Sequence, residues 1–208
     1  RVAVNQRCVV TQVAIIDSGG ANITSLLSAF ERLGVTPELT ADANQIRGAA
    51  RVVLPGVGAA RDAMSRLNKA NLVDVIRDLP QPVLGICLGM QLLCERSEED
   101  DVECLGIIPG MARKLPVADS FPVPNMGWCA TRPTAPHPIL DGIESGDHFY
   151  FVHSYAIPES EHTIATASHA EPFSAMLGKE NFVAAQFHPE RSSQAGARIL
   201  SNFLEWTV

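Results

Sequence analysis

The stretch "GICLGMQLL", residues 85–93, joins an apolar run over residues 82–87 to a segment of helical character over residues 88–94. Its cysteine, Cys87, stands between two glycines in the spacing G-x-C-x-G, which is typical of a nucleophile elbow between a strand and a helix. Glycine leaves room for the sharp turn that a side chain would block, and the turn lifts the sulfur above the strand. This stretch therefore predicts a strand–turn–helix unit with a thiol at the turn.

Two earlier segments repeat the design of an apolar strand, a glycine-rich turn and a helix. The run at residues 13–16 precedes apolar residues at helical spacing over 23–33, and Gly34 is a suitable stop. The run at residues 51–58 precedes a helical pattern over 64–79, which fits one long helix or two short ones. Apolar strands that alternate with amphipathic helices predict a parallel sheet covered on both faces. Sites in such sheets form at the carboxyl ends of the strands, where all three glycine-rich turns fall.

The second half of the chain changes character. Its strand candidates are short and separated by tight turns, at residues 148–156, 162–168, 173–178 and 182–190. They predict antiparallel additions to the sheet. A last helix is predicted near residues 194–206, with Ser192 or Ser193 as its N-cap. The stretch "RSEEDD" at residues 96–101 is predicted to form a solvated loop. The predicted fold class is therefore α/β, with an open, mostly parallel sheet, helices on both faces and antiparallel strand additions.

Composition limits the kinds of ligand and location. We expect residues 12–208 to form a single domain and residues 1–11 to be an N-terminal extension, which is a candidate for disorder. The net charge of −7 and the lack of a basic block argue against nucleic acid and anionic membranes as ligands. No apolar run reaches the ~18 residues that span a bilayer. The five cysteines are scattered and include no CxxC pair, which argues against a disulfide framework or a zinc site and favours a reducing, cytoplasmic location.

A cysteine nucleophile requires a base and an orienting group, and "QFHPE" at residues 186–190 offers both. His188 and Glu190 lie two residues apart, so in an extended segment their side chains point to the same side. Glu190 would then accept a hydrogen bond from one imidazole nitrogen while the other nitrogen faces Cys87, as in a Cys-His-acid triad. Alone, each feature also fits a buried packing cysteine or a polar histidine with satisfied hydrogen bonds. Found together, the two features favour a catalytic role for Cys87 and His188.

The third element of the predicted site is the glycine-rich turn "LPGVG" at residues 54–58. It follows a strand, as the cysteine turn does, so a backbone amide can face a ligand there. We assign this turn, together with the amide of Leu88, to an oxyanion hole. Without the other two motifs it would fit an ordinary strand–helix connection.

The motifs "PGVG", "GICLGMQLL" and "FHPE", in this order, resemble those of the triad-type class I glutamine amidotransferases, over nearly the whole chain from Val13 onward. The resemblance implies a flavodoxin-like fold and hydrolysis of glutamine's side-chain amide through a cysteinyl thioester, with the ammonia passed to a synthase. It implies Cys87 as the nucleophile, His188 as general base and acid, and Glu190 as the residue that orients the imidazole. It also implies an oxyanion hole and a substrate pocket, formed respectively by Val57, Gly58 and Leu88, and by Gln91, Ser154 and Tyr155.

Finer motifs are similar to one branch of that family, the glutaminase subunits of imidazole glycerol phosphate synthases in histidine biosynthesis. They are "PNMGW" at residues 124–128, "FYFVHSYA" at 149–156 and "FHPERS" at 187–192. The similarity implies a heterodimer with a (β/α)8-barrel cyclase subunit that receives the ammonia. The complex would release imidazole glycerol phosphate, an aminoimidazole carboxamide ribotide and glutamate. The similarity implies neither a metal nor a cofactor for the glutaminase reaction.

One of these motifs departs from its usual form. The family pattern near Pro124 is Pro-His-Met-Gly-Trp-Asn, whereas this chain has Asn125 in place of the histidine and Cys129 in place of the asparagine. In relatives this loop faces the cyclase and the oxyanion turn. A thiol cannot supply the hydrogen bonds of an amide. We therefore expect an active enzyme in which the state of the partner is signalled differently.

Three other functions fit parts of the pattern. A glutaminase subunit that serves anthranilate, aminodeoxychorismate or purine synthesis would share the first half-reaction. Two motifs argue against it: "PNMGW", and "PGVG" at a turn where many relatives have Pro-Gly-Gly-Pro. A stand-alone γ-glutamyl hydrolase or peptidase would use a similar sheet without a partner. A binding module with a relict triad is the third alternative, and the presence of all three triad residues argues against it.

Overall fold

The computed structural model describes residues 12–18 and 23–208. The predicted extension over residues 1–11 lies outside the described residues, so the division of the chain into an extension and a single domain stays a prediction. Among the described residues, no helix combines the length and the apolar character needed to cross a membrane.

Strands and helices alternate in the first part of the chain, and strands dominate the second part. In chain order the strands are β1 (Val13–Ile16), β2 (Glu38–Thr40), β3 (Arg51–Gly56), β4 (Val83–Cys87), β5 (Cys94–Ser97), β6 (Val102–Glu103), β7 (Ile108–Lys114), β8 (Asn125–Pro133), β9 (Asp147–His153), β10 (Tyr155–Ala156), β11 (Thr163–His169), β12 (Glu171–Lys179) and β13 (Phe182–Ala185). The helices are α1 (Ile23–Arg32), α2 (Ala43–Gly48), α3 (Ala60–Lys69), α4 (Val73–Arg77), α5 (Leu88–Leu93) and α6 (Ser193–Glu205). Short 3-10 turns are formed by Glu99–Asp101, Pro138–Leu140 and Pro189–Arg191.

Among the described residues, the larger sheet has nine strands in the order β2-β1-β3-β4-β13-β12-β11-β8-β9. The first five strands of this order run parallel, in the arrangement of a flavodoxin-like sheet. The other four are antiparallel to β13 or to one another. The predicted α/β class with antiparallel additions is confirmed, with five parallel strands and four antiparallel ones in this sheet.

Side chains of the parallel strands alternate between two apolar clusters, one on each face of the sheet. In β1, Val13 and Ile15 join one cluster, and Ala14 and Ile16 join the other, as the two-residue period of a strand requires. Helices α1 and α6 cover the first face, whereas α2, α3, α4 and α5 cover the second. Burial on both faces accounts for the uninterrupted apolar runs in the sequence.

Two helix predictions are resolved by backbone conformation. Helix α1 ends at Arg32, and Gly34 has a φ of +80°, which confirms the predicted stop. The pattern over residues 64–79 forms two helices, α3 and α4. They are separate because Asn71 between them adopts a φ of 55°, which a continuous right-handed helix does not allow.

The sequence does not predict the second sheet, which has strands in the order β10-β7-β5-β6. Of its strands, β10 alone lies within a predicted strand, that over residues 148–156, which the sequence assigns to the larger sheet. The predicted solvated loop over residues 96–101 is wrong in its first part, because Arg96 and Ser97 belong to β5 and Ser97 is fully buried. Its last part is the 3-10 turn at Glu99–Asp101. Strands β5 and β6 are only four and two residues long, so their conformation depends on pairing partners more than on local sequence.

Candidate active site

Cys87 is the last residue of β4 and directly precedes α5. Its backbone has a φ of 55° and a ψ of −112°, outside the regions that a non-glycine residue ordinarily adopts. Such strain persists only where the surrounding structure enforces it, and it is common at functional sites. The sharp turn predicted for the G-x-C-x-G spacing is therefore present.

The two flanking glycines are required by the close packing of α5. A Cβ atom added to Gly89 would lie 1.8 Å from the carbonyl oxygen of Leu54 in β3. One added to Gly85 would lie 2.7 Å from Cδ1 of Leu93 and 2.9 Å from the backbone oxygen of Gly89 in α5. Because neither contact is possible without a shift of backbone or helix, the glycines let α5 rest directly on the sheet and fix where the sulfur of Cys87 stands.

His188 and Glu190 follow β13, which runs parallel to β4 and so ends at the same edge of the sheet. The Nδ1 atom of His188 lies 2.9 Å from Oε1 of Glu190. The prediction of an extended segment through residue 190 is wrong, because β13 ends at Ala185 and Pro189–Arg191 forms a 3-10 turn. This tight turn, rather than strand alternation, brings the two side chains together.

Ser192 fastens this turn to β9. Its hydroxyl donates to the carbonyl oxygen of His188 at 2.6 Å and accepts from the backbone N–H of Tyr150 at 2.9 Å. The backbone N–H of His188 donates to the carbonyl oxygen of Tyr150 at 2.9 Å. Ser192 occupies the predicted N-cap position of α6, but its hydroxyl makes no capping bond to the helix.

The charge of His188 follows from its two partners. Burial of the ring lowers its pKa, but hydrogen bonds with Cys87 and Glu190, and the negative charges of those groups, raise the pKa of His188 to about 10. The ring is then an imidazolium at neutral pH. An imidazolium beside a cysteine is the usual environment of a nucleophilic cysteine.

We expect Glu190→Gln to lower the pKa of His188 toward its ordinary value of 6.5, because the variant removes a negative charge from the ring's partner. At about pH 9 a larger fraction of the rings should then be neutral in the variant than in the wild type. Isotope-edited NMR of the histidine rings measures this fraction. Burial lowers the pKa of His153 to about 4, so His153 is an internal reference that stays neutral in both proteins. An unchanged titration of His188 would contradict the assigned role of Glu190.

Cys87, His188 and Glu190 line one cavity of about 350 Å³ at the carboxyl edge of the parallel strands. A volume of this size is typical of small-molecule sites. The residues that the sequence assigns to the oxyanion hole and to substrate binding line the same cavity: Val57, Gly58, Leu88, Gln91, Ser154 and Tyr155. The structure therefore brings together every predicted site residue, and their roles in a reaction stay proposals.

The cavity wall is completed by the turn after β3 and by the junction between β9 and β10. In the parallel ladder of β3 and β4, Gly56 pairs with Cys87, so the turn after β3 lies beside the cysteine turn. Gly58 in that turn has a φ of +86°, a conformation that glycine adopts readily. On the other side, the predicted strand over residues 148–156 divides at Ser154 into β9 and β10, which belong to different sheets.

Sequence reasoning does not identify three polar residues at this site: Glu99, His153 and Gln186. Glu99 lines the cavity, and its Oε2 atom accepts a hydrogen bond from the backbone N–H of Ala60 at 3.2 Å. Gln186 is fully buried, and its amide nitrogen lies 3.9 Å from the Cys87 sulfur. No local signal places Glu99, because its position depends on the unpredicted second sheet. Gln186, in contrast, lies within the same motif as the predicted base.

The two positions that depart from the family motif contact each other. The Nδ2 atom of Asn125 lies 3.6 Å from the Cys129 sulfur and 3.0 Å from Nε2 of His153. Burial raises the pKa of the Cys129 thiol, and its hydrogen bond with Asn125 opposes that effect. Asn125 thus joins a buried network beside the cavity, whereas Met126 and Trp128 on the same strand are exposed.

The family described as glutamine amidotransferase class-I matches residues 14–206. The chain is similar to the imidazole glycerol phosphate synthase subunit HisH of Xylella fastidiosa (strain Temecula1 / ATCC 700964), with 51% identity over 94% of this chain and 98% of the relative. HisH of Haemophilus influenzae (strain 86-028NP) is 48% identical over the same shares of the two chains. The fold is similar to the solved structure of PurLQS from Thermotoga maritima, with a TM-score of 0.69 and 17% identity over 93% of this chain and 97% of that chain. The chain therefore belongs to the class I glutamine amidotransferase family.

Proposed function

We propose that the chain is the glutaminase subunit of an imidazole glycerol phosphate synthase. One observation carries this proposal: the HisH relatives match it at 51% and 48% identity along nearly their whole length. In this role the subunit hydrolyses glutamine to glutamate and ammonia. The ammonia passes to a cyclase subunit, which makes imidazole glycerol phosphate and an aminoimidazole carboxamide ribotide for histidine biosynthesis.

The first half-reaction forms a thioester. The thiolate of Cys87 attacks the carboxamide carbon of the glutamine side chain, and the carbonyl oxygen takes up negative charge as the C–S bond forms. His188 then transfers its proton to the amide nitrogen, the C–N bond breaks and ammonia leaves. The hydrogen bond of 2.9 Å to Glu190 keeps the imidazole in the orientation that this transfer needs.

The second half-reaction hydrolyses the thioester. Water attacks the thioester carbon while the neutral ring of His188 accepts a proton from it. The C–S bond breaks, glutamate leaves and the thiolate of Cys87 is restored. Val57, Gly58 and Leu88 line the cavity, and we assign their backbone amides to the oxyanion that forms in both half-reactions.

Recognition of glutamine needs a partner for its α-ammonium group. Glu99 supplies a carboxylate on the cavity wall in addition to that of Glu190, and the latter is engaged with the imidazole. We assign Glu99 to the α-ammonium, and Gln91, Ser154 and Tyr155 to the rest of the substrate. Charge pairing in a partly desolvated cleft is stronger than in water.

We expect Glu99→Gln to raise the KM for glutamine by roughly ten- to hundredfold, because the ammonium loses a charged partner. The value of kcat should change by less than about threefold, since the carboxamide still meets the same nucleophile. Steady-state glutaminase kinetics measure both constants. Glu103→Gln is a matched control, because Glu103 lies in β6 near the same turn and is exposed. A fall in kcat at unchanged KM would contradict the assignment.

We propose that the cyclase, a (β/α)8 barrel, docks on the surface that β8 presents. The side chains of Met126 and Trp128 are 64% and 52% exposed, and as alternate residues of a strand they point to the same side. Neighbouring exposed apolar side chains of this size mark interaction surfaces. Pro124, next to this strand, lines the cavity, so ammonia released there is close to the partner. The resulting heterodimer would work in the cytoplasm.

Signalling across this surface is also part of the proposal. Asn125 and Cys129 occupy positions where family members have histidine and asparagine, and they lie directly behind the exposed side chains of β8. We propose that the triad stays active and that its response to the state of the cyclase differs from that of relatives with the usual motif.

Co-purification with candidate barrel synthases, followed by a glutaminase assay on each complex, tests the proposed function. We expect stable binding to a (β/α)8 cyclase and glutamine-dependent formation of imidazole glycerol phosphate by that complex. Binding to a different synthase would instead assign the chain to anthranilate, aminodeoxychorismate or purine synthesis. Full glutamine hydrolysis without any partner would favour a stand-alone γ-glutamyl hydrolase.

A further inference from the structure

A series of buried hydrogen bonds leads from β8 to the active site. The amide nitrogen of Asn125 lies 3.0 Å from Nε2 of His153. The other ring nitrogen of His153, Nδ1, lies 2.9 Å from the carbonyl oxygen of Tyr155. The same oxygen accepts a hydrogen bond from Nε2 of Gln91 at 2.9 Å. The backbone oxygen of Tyr155 therefore joins the histidine to a residue of the substrate cavity.

The series ends on the sulfur. Nε2 of Gln91 also donates to Oε1 of Gln186 at 3.1 Å, and Nε2 of Gln186 lies 3.9 Å from Sγ of Cys87. We call Asn125, His153, Gln91 and Gln186 the amide chain; all four side chains are buried. Its outer end lies one residue from the exposed Met126, and its inner end is in contact with the atom that attacks the substrate.

The direction of each hydrogen bond in the amide chain is fixed. A carbonyl oxygen only accepts, so Nδ1 of His153 must carry the proton and Nε2 must accept one from Asn125. Burial lowers the pKa of His153 to about 4, so the ring is neutral at neutral pH and holds this tautomer. Because Oε1 of Gln186 accepts from Gln91, the amide of Gln186 is oriented with its Nε2 donor toward the sulfur of Cys87. If one amide or imidazole were flipped, a neighbouring buried donor or acceptor would lose its partner. The hydrogen bonds of the amide chain are therefore cooperative.

We infer that His153 is a positioning residue, which acts through the amide chain on the sulfur of Cys87 and on the cavity wall beside it. The assignment of Cys87 as the nucleophile rests on the proposed function. A hydrogen bond to a thiolate favours the charged form and restricts the motion of the sulfur. Loss of the ring nitrogens of His153 releases the Tyr155 carbonyl oxygen and the glutamine amides that it orients.

Two substitutions of His153 separate positioning from packing. His153→Phe keeps an aromatic ring among Phe151 and Phe173, which already contact the histidine, and it removes both ring nitrogens. His153→Asn keeps a donor near the position of Nδ1. We expect His153→Phe to lower the kcat of the partner complex about tenfold, since it removes linked hydrogen bonds that orient the reacting sulfur. His153→Asn should recover most of this loss.

Alkylation of Cys87 by iodoacetamide, followed by peptide mass mapping, reports on the same sulfur without glutamine. Its rate constant should also fall about tenfold in His153→Phe. The matched control is His169→Phe, because His169 is likewise buried and bonded to a backbone carbonyl, that of Pro122 at 2.7 Å, and is not a member of the amide chain. That variant should keep both rates, and thermal unfolding verifies that each variant is folded.

Gln186→Met interrupts the amide chain at its inner end with a side chain of similar volume, so it tests the same idea where His153→Phe does not fold. It should lower both rates by a similar factor. His153 has no positioning role if the folded His153→Phe variant turns over and is alkylated as the wild type is, or if His153→Asn recovers nothing. A wild-type complex without glutaminase activity would refute the proposed function, whereas the alkylation ratio would still decide the role of His153.

Discussion

In a complex reconstituted with the cyclase, Cys87→Ala should abolish glutamine-dependent synthesis and leave synthesis from added ammonium salt intact. The glutamine-dependent rate should fall by at least about four orders of magnitude, as expected when a covalent nucleophile is removed. Free ammonia reaches the cyclase without a thioester, so the second activity does not need the thiol. Parallel assays with glutamine and with an ammonium salt measure the two rates.

The structure indicates that this variant folds. Alanine is smaller than cysteine, and the turn around residue 87 is set by the packing of Gly89 on Leu54 rather than by the sulfur. Cys104→Ala is the matched control: burial raises the pKa of the Cys104 thiol to about 11, so that residue is unreactive, and both activities should persist. If a folded Cys87→Ala lost both activities, the division of labour between the subunits would be wrong.

The second large effect is expected from Gly89→Ala, a single added methyl group. Its Cβ would lie 1.8 Å from the Leu54 carbonyl oxygen, a distance that no real contact reaches. Helix α5 must therefore move away from β3, and Cys87 moves with it. We expect a loss of stability of roughly 3 kcal/mol or more and a fall in glutaminase kcat of at least about a hundredfold, because small misplacements of reacting groups are costly.

Urea unfolding and glutaminase kinetics measure these two effects. Gly48→Ala is the control, because an added Cβ there meets nothing within 4 Å and the residue has no positive φ. It should be neutral, or stabilising by about 0.5 kcal/mol through a less flexible unfolded chain. Wild-type stability and kcat in Gly89→Ala would show that the glycine does not set the position of the cysteine turn.

The parallel half of the fold can be predicted from sequence because its signals are local. Strands such as β1 and β4 are buried on both faces and read as unbroken apolar runs, and α1 shows its buried face at helical spacing. The second sheet cannot be predicted in this way. Its strands β5 and β6 are short and partly polar, and they are strands because they pair with each other and with β7.

The site, like the fold, has one part that can be predicted from sequence and one that cannot. Cys87 ends one strand of the predicted sheet and His188 follows its parallel neighbour, so topology alone brings them to one edge. The contact of His188 with Glu190 is predicted correctly but for the wrong geometric reason, since a 3-10 turn replaces the expected extended segment. Glu99 and His153 reach the cavity through strand pairings that no local sequence pattern predicts. Their contribution to the site is therefore visible only in the three-dimensional structure.

Labelling with a glutamine analogue that carries a diazoketone in place of the carboxamide tests the central claim most directly. Such a compound alkylates the nucleophile that attacks the side-chain carbon. We predict that glutaminase activity of the complex falls in step with labelling of the peptide that contains Cys87, and that prior incubation with glutamine slows both. Loss of activity with the label on another residue, or full labelling of Cys87 with activity retained, would contradict the assignment of this sulfur as the nucleophile.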